Sequence, residues 1–140
     1  MASRQISDLS KELQPLVSAH LNRVNPLLAK RNATMIITCT YRSNDEQAEL
    51  YAIGRTVKGR KVTNAKPGQS KHNCVDTKTG KPAAEAYDIA ILVNGKLNWN
   101  LDDPIWEIVG KAGEELGLEW AGRWEHFREG PHFQLASKKG

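Results

Sequence analysis

No apolar run in the chain approaches the ~18 residues that a membrane span needs, and no apolar segment follows the N-terminus as in a secretory leader. Synthesis and initial residence in the cytosol are therefore expected. Cysteine is scarce: Cys39 and Cys74 are too few for a disulfide framework and fit a reducing compartment. Aromatic residues make up 6% of the chain, and none interleaves with the basic stretch Lys58–Lys71, which leaves that stretch without a platform for stacking bases. There is no internal repeat, no low-complexity block and no linker long enough to separate a pair of domains, so residues 1–140 read as one domain, large enough to bury a real core. What is present is an ordinary polar composition, 39% hydrophobic and 26% charged. The net charge of +4 favours acidic partners: nucleic acid, an anionic membrane surface or an anionic wall polymer.

Leu9, Leu13, Leu16, Val17, Val24 and Leu28 follow helical spacing, and Pro15 and Pro26 predict two or three helical pieces, each proline near a first turn. His20 on this face reads as a packed or half-exposed structural residue. Met35 to Thr40 is a buried β-branched strand, within which Cys39 reads as a small core residue rather than a nucleophile. Ser43 with Glu46 forms a capping box, predicting a helix through Gln47, Leu50 and Tyr51 that stops near Gly54. Arg42 then stands where a core strand ends and a helix begins, either as a site residue or in a surface salt bridge. Lys58–Lys71 is a basic loop suited to rimming a groove. Asn73–Glu85 reads as an insertion with Thr77–Pro82 as its tip, followed by a strand over Ala84–Val93 and a type I′ turn at Asn94-Gly95. Asp102-Asp103-Pro104 opens a helix ending at Gly117, and Leu118–Trp120 and Phe133–Leu135 read as short strands.

The chemistry concentrates in Glu129-Gly130-Pro131-His132. Pro131 blocks helix continuation, so this carboxylate and imidazole belong to a loop entering a strand. A catalytic zinc needs three protein ligands, an open position for water, and a base for that water's proton. His132 suits a ligand and Glu129 the base, with two further ligands required upstream. Asp88 interrupts an apolar strand, where a carboxylate is costly unless paired or metal-bound, and Ala86 and Ala90 on its own face leave room for an ion. Asp88 on the solvent side of an alternating strand is the plainer alternative.

Tyr41-Arg42-Ser43-Asn44, the run Leu50 to Thr56, Thr63 to Lys66, Ser70-x-His72, Ala86-Tyr87-Asp88-Ile89 and Trp120 to Leu135, in this order, resemble the phage endolysins of the L-alanyl-D-glutamate peptidase type. These fall within the D-Ala-D-Ala carboxypeptidase (VanY-like) group of zinc peptidases. The resemblance covers residues 6–136. It implies a small α+β fold, with N-terminal helices and a central antiparallel sheet carrying the zinc site, as in hedgehog-type relatives. It implies Zn²⁺ held by His72, Asp88 and His132, Glu129 as catalytic base, Arg42 as a catalytic and substrate-binding cation, and Ser70 supporting the site beside His72. The implied activity is hydrolysis of the L-Ala–D-Glu bond of peptidoglycan stem peptides by a zinc-activated water. Nothing in the sequence suggests more than a monomer, and neither a nucleic-acid partner nor stable membrane insertion is expected. Such an enzyme stays in the host cytoplasm until a separate holin releases it to a thin, Gram-negative wall.

The chain departs from the family pattern in three places. About nine extra residues separate His72 from Asp88, Ala84 stands where the family has glycine, and Arg123 replaces an acid. The first departure makes Asp76 a rival ligand, although the strand position of Asp88 suits a ligand better than a turn does. Cys74 and His126 are also ligands by chemistry and read as bystanders. Two other activities remain open: a D-Ala-D-Ala carboxypeptidase or dipeptidase on the same site, and a non-catalytic zinc-stabilised wall-binding domain. A nucleic-acid role rests on charge alone.

Overall fold

The computed structural model describes residues 2–125 and 128–136. Its elements run α1 (Gln14–Ala29), β1 (Ala33–Cys39), α2 (Asn44–Ala52), β2 (Ala86–Val93), β3 (Lys96–Leu97), α3 (Pro104–Glu115), β4 (Leu118–Trp120) and β5 (His132–Leu135). The strands form one antiparallel sheet in the order β1-β2-β5-β4, with β3 paired to the far end of β2. This is the small α+β fold that the resemblance implies.

Strand alternation gives the sheet two unlike faces. On one, the cross-strand partners Tyr87, Phe133 and Trp120 form an aromatic ladder, with ring centroids 5.7 and 6.2 Å apart. This ladder packs into a core shared with Leu13, Val17 and Leu28 of α1 and Trp106 and Val109 of α3. Trp120 is wedged between Gly110 and Gly122: a Cβ on either glycine would meet its ring at 2.2 or 2.3 Å. The opposite face carries Asp88, His132, Gln134 and Glu119.

The helices hold the sheet in place. A 3-10 turn over Ile6–Asp8 precedes α1, which opens near Pro15 as expected but runs unbroken through Pro26, a correction to the piece expected to begin there. Pro15 lies in the first turn, where its missing N–H costs nothing. Pro26 lies inside the helix, between Val24 and Leu28, both fully buried, so packing offsets the lost backbone bond. Asn25 exchanges two side-chain hydrogen bonds with the backbone of Met35 and thereby covers part of the free edge of β1. α2 begins with the expected capping box, and Asp103 caps α3. Asn94 (φ 52°) and Gly95 (φ 77°) form the expected positive-φ hairpin turn. β2 begins at Ala86 rather than Ala84, because Ala84 is bridged to Leu9 instead.

The insertion is a closed excursion. The Ala83 amide donates to the Cys74 carbonyl at 3.0 Å, Val75 pairs with Pro82, and Glu85 N donates to Lys71 O at 2.9 Å. The chain therefore leaves after His72 and returns to nearly the same place, so the added length does not displace His72 from β2.

Candidate metal centre

β1, β2 and β5 lie side by side, and their register places Cys39 opposite Asp88 and Asp88 opposite His132. Directly opposed residues of an antiparallel pair project to the same face. An irregularity in β1 between Ile37 and Cys39 resets the pairing immediately before the site. His72 arrives from a different direction, on a single 3-10 turn (Lys71–Asn73) capped by Ser70, whose hydroxyl accepts from the His72 amide at 3.1 Å. Two bonds clamp that turn against Arg42: Arg42 N donates to His72 O at 2.9 Å, and Asn73 Nδ2 donates to Arg42 O at 2.8 Å.

These constraints bring His72 Nε2 to 3.2 Å and His132 Nδ1 to 3.1 Å from the same oxygen of Asp88. Glu129 Oε2 is 3.9 Å from His132 Nδ1, and Arg42 is 3.6 Å from the second Asp88 oxygen. Arg42 also donates to Gln47 Oε1 at 2.9 Å; Gln47, fully buried, in turn donates to Ala65 O. One inner residue of α2 thus ties both the arginine and the basic loop to the site. The loop rims a groove of about 1110 Å³ through Lys61–Ala65 and Gln69–Lys71, with Trp99, Trp124 and Arg128 on other walls.

Ring-nitrogen roles follow from the partners. A carbonyl only accepts, so His72 Nδ1, 2.8 Å from Thr40 O, keeps its proton, and Nε2, which donates to Asp88, is the nitrogen free to give its proton up to a metal. Burial opposes charge on His72, but the neighbouring Asp88 carboxylate and its hydrogen bond outweigh it and lift the pKa to about 10. Burial alone would raise the Asp88 carboxyl; the charge of His72 and hydrogen bonds from both imidazoles instead hold it well below the usual range. Glu129 is shifted upward, chiefly by burial; His132 opposes that shift and the Asp88 charge adds to it. A glutamate poised above its ordinary value is a better general base near neutrality.

Two imidazoles and one carboxylate on a groove floor, each with an outer partner, form a donor set that fits zinc with an open position. Cys39 offers another combination, since possible ligand atoms of Cys39, His72 and Asp88 lie within 4.8 Å of one another. Its Sγ, however, is 3.7 Å from His72 Nδ1, the nitrogen committed to Thr40, and it also accepts from Arg42 at 3.6 Å. Cys39 is thus engaged with the outer nitrogen of His72 and with Arg42, whereas His132 Nδ1 meets Asp88 directly, which favours His132 as the third donor. Cys39 is nonetheless a wall of the site, not only the core filler expected of it. The rival Asp76 is exposed and accepts from the amides of Lys78 and Thr79 in its own turn. Cys74 is half-buried beside Glu85, and its thiol pKa is raised, first by burial. His126 lies outside the described residues. Arg123 pairs with Glu107 and Glu114 on α3. Thr40, Gln47, Glu119 and Gln134 escaped the sequence reading. The one available signal was that Gln134, two residues after His132 in a strand, must share its face.

Such donors beside a carboxylate base define a class, the metallopeptidases of small α+β fold. Sequence comparison narrows the class: the model of a family described as D-alanyl-D-alanine carboxypeptidase matches residues 63–135, and a VanY model of the same description matches residues 10–87. The chain belongs to this VanY-like D-alanyl-D-alanine carboxypeptidase family. It is 31% identical over 132 residues to the peptidoglycan L-alanyl-D-glutamate endopeptidase CwlK of Bacillus subtilis, covering 89% of this chain and 74% of that protein. The fold is similar to the L-Ala D-Glu endopeptidase ChiX of Serratia marcescens (TM-score 0.62, 19% identity, 97% of this chain and 89% of that one). It is also similar to the D,D-dipeptidase VanXYg (TM-score 0.58, 16% identity, 91% and 50%) and to a VanY D,D-pentapeptidase in complex with Zn(II) (TM-score 0.53, 13% identity, 91% and 72%).

Proposed function

We propose that this protein is a zinc endopeptidase that hydrolyses the L-Ala–D-Glu bond of peptidoglycan stem peptides. The observation that carries this reading is the convergence of His72, Asp88 and His132 beside Glu129 on the floor of a groove rimmed by cations. The specific bond is supported by the relationship to CwlK. Zinc held by His72, Asp88 and His132 would supply Lewis acidity and a water acidic enough to lose its proton near neutral pH. Glu129 takes that proton as the peptide carbonyl is attacked and delivers it to the departing amine. Arg42, braced by Gln47, offers its guanidinium to the developing oxyanion or to a substrate carboxylate. Ser70 holds the turn that presents His72, and the Lys61–Lys71 rim attracts the acidic stem peptide.

The endolysin role belongs to the same proposal: a phage enzyme, acting as a monomer, that reaches the wall through a separately supplied holin. Among the described residues, no helix is long and apolar enough to cross a membrane. The family description favours a second reading, D-Ala-D-Ala cleavage on the same site. Digestion of purified peptidoglycan followed by identification of the new N-terminus separates the two. D-Glu supports the endopeptidase, whereas D-Ala transfers the site to the carboxypeptidase reading. Glu129→Gln is expected to keep one zinc per chain while the rate falls by ~10²–10⁴-fold; near-normal hydrolysis by this variant would remove Glu129 from the base role.

A further inference from the structure

We infer that Glu119 and Gln134 form a positioning relay that sets the tautomer of His132 and thereby the strength of the metal centre. The inference rests on His132 being a zinc ligand. His132 Nε2 is 2.9 Å from Gln134 Oε1, Gln134 Nε2 donates to Glu119 Oε2 at 2.8 Å, and Trp124 Nε1 donates to the same Glu119 oxygen at 3.1 Å. The direction of the chain is determined from its far end. An ionised carboxylate only accepts, so the Gln134 amide must turn its NH₂ toward Glu119 and its carbonyl oxygen toward His132. That oxygen also only accepts, so His132 Nε2 must carry a proton. Nδ1, which donates to the Asp88 carboxylate here, is thereby the nitrogen that can give up its proton and offer a lone pair to zinc.

The backbone makes the relay rigid. Glu119 and Gln134 are register partners in β4 and β5, as Asp88 and His132 are in β2 and β5. Gln134 follows His132 by one strand period, so all four side chains share the groove face of the sheet. Ala86, the partner of Gln134 on β2, is too small to crowd the amide. Trp124 also packs tilted against His132, with ring centroids 5.7 Å apart, so the tryptophan that anchors Glu119 also bounds the imidazole. His72 reaches the same protonation pattern through the Thr40 backbone carbonyl, which no side-chain substitution removes. The two imidazoles therefore differ: one is oriented by backbone, the other by a side-chain relay open to mutation.

The test is zinc affinity measured with Zn²⁺ against a competing chelator for the full chain, Gln134→Leu, Glu119→Gln and the double variant. The wild type is expected to bind one zinc, and Gln134→Leu to bind ~10–100-fold more weakly with its circular dichroism unchanged. Glu119→Gln should weaken binding less, and the double variant no more than Gln134→Leu alone, because both act through one bond. In zinc-loaded, ¹⁵N-labelled wild type, the His132 Nε2–H proton should be protected and visible, and Gln134→Leu should lose it; a purely structural role would not move that signal. Wild-type zinc affinity in Gln134→Leu, or additive losses in the double variant, overturns the relay and leaves the zinc reading standing. A wild type that binds no zinc overturns both. Should Gln134→Leu fail to fold, an unchanged affinity and His132 signal in Glu119→Gln overturns the relay.

Discussion

His20 and His72 are 0% and 2% exposed, and each has both ring nitrogens engaged. His20 Nε2 donates to the Val109 carbonyl at 2.9 Å, so its Nδ1 accepts from the Tyr87 hydroxyl at 2.7 Å. Its partners are neutral, and burial pulls its pKa below the ordinary value, with only partial relief from Val109. His72 also spends one nitrogen on a backbone carbonyl, but its other nitrogen meets a carboxylate, and its pKa rises to about 10. Withdrawal from water is the same in both cases. The charge of the partner decides whether a buried imidazole is held neutral or drawn toward the cation. The two stand on opposite faces of one sheet: His20 against the Tyr87–Phe133 ladder, His72 against Asp88.

The comparison breaks most sharply with paired alanine variants. His72→Ala should lose zinc binding and wall hydrolysis together, beyond the ~10–100-fold cost of losing a supporting partner. Equilibrium dialysis and a peptidoglycan turbidity assay read both losses. His20→Ala should keep one zinc per chain but strand Tyr87 Oη and Val109 O, lowering stability in urea by about 1–3 kcal/mol per stranded group. If His20→Ala lost zinc at full stability, the division between strut and ligand would fail.

Gly110→Ala probes the core face alone. The added methyl would meet the Trp120 ring, and a loss of about 1–3 kcal/mol is expected with zinc stoichiometry unchanged.

The two histidines also have opposite pH signatures when a chelator holds zinc away. The folded pKa of His72 is above 6.5, so its stabilising contribution is complete below pH 6.5 and is lost as pH rises through about 10. The folded pKa of His20 is below 6.5, so its neutral form stabilises fully above that value, and the contribution is lost as pH falls below it. Melting temperature against pH for wild type, His72→Gln and His20→Gln should show each variant flattening a different limb. On the proposed zinc reading, the ion would have to displace the His72 proton, and zinc affinity should climb with pH up to about 10. The smallest effect belongs to Arg123→Ala, whose partners are the exposed Glu107 and the half-buried Glu114: about 0–1 kcal/mol and unaltered hydrolysis. A large activity loss there would instead place Arg123 at the substrate.

Local chemistry was the legible portion. The Ser43–Glu46 box, Asp103-Pro104 and Asn94-Gly95 form as their residues dictate, because each depends on contacts within four positions. Pro26 was misleading for the converse reason. Its cost is local, but what offsets it, the burial of Val24 and Leu28 against the sheet, is not.

At the site, the sequence by itself determined which chemical groups were available and that Asp88 occupies a strand position, because period-two alternation is written in neighbouring residues; His132, read as part of the loop before the strand, is instead the first residue of β5. Only the tertiary structure decided that the insertion closes on itself, which leaves Asp88 rather than Asp76 beside His72. It also decided which nitrogen each imidazole turns inward, and that Gln47 braces Arg42. The imidazole orientations depend on the Thr40 carbonyl and the Glu119 carboxylate, brought from other strands and turns. A hydrogen bond over three ångströms cannot be inferred from a separation of thirty residues until packing has brought its two ends together.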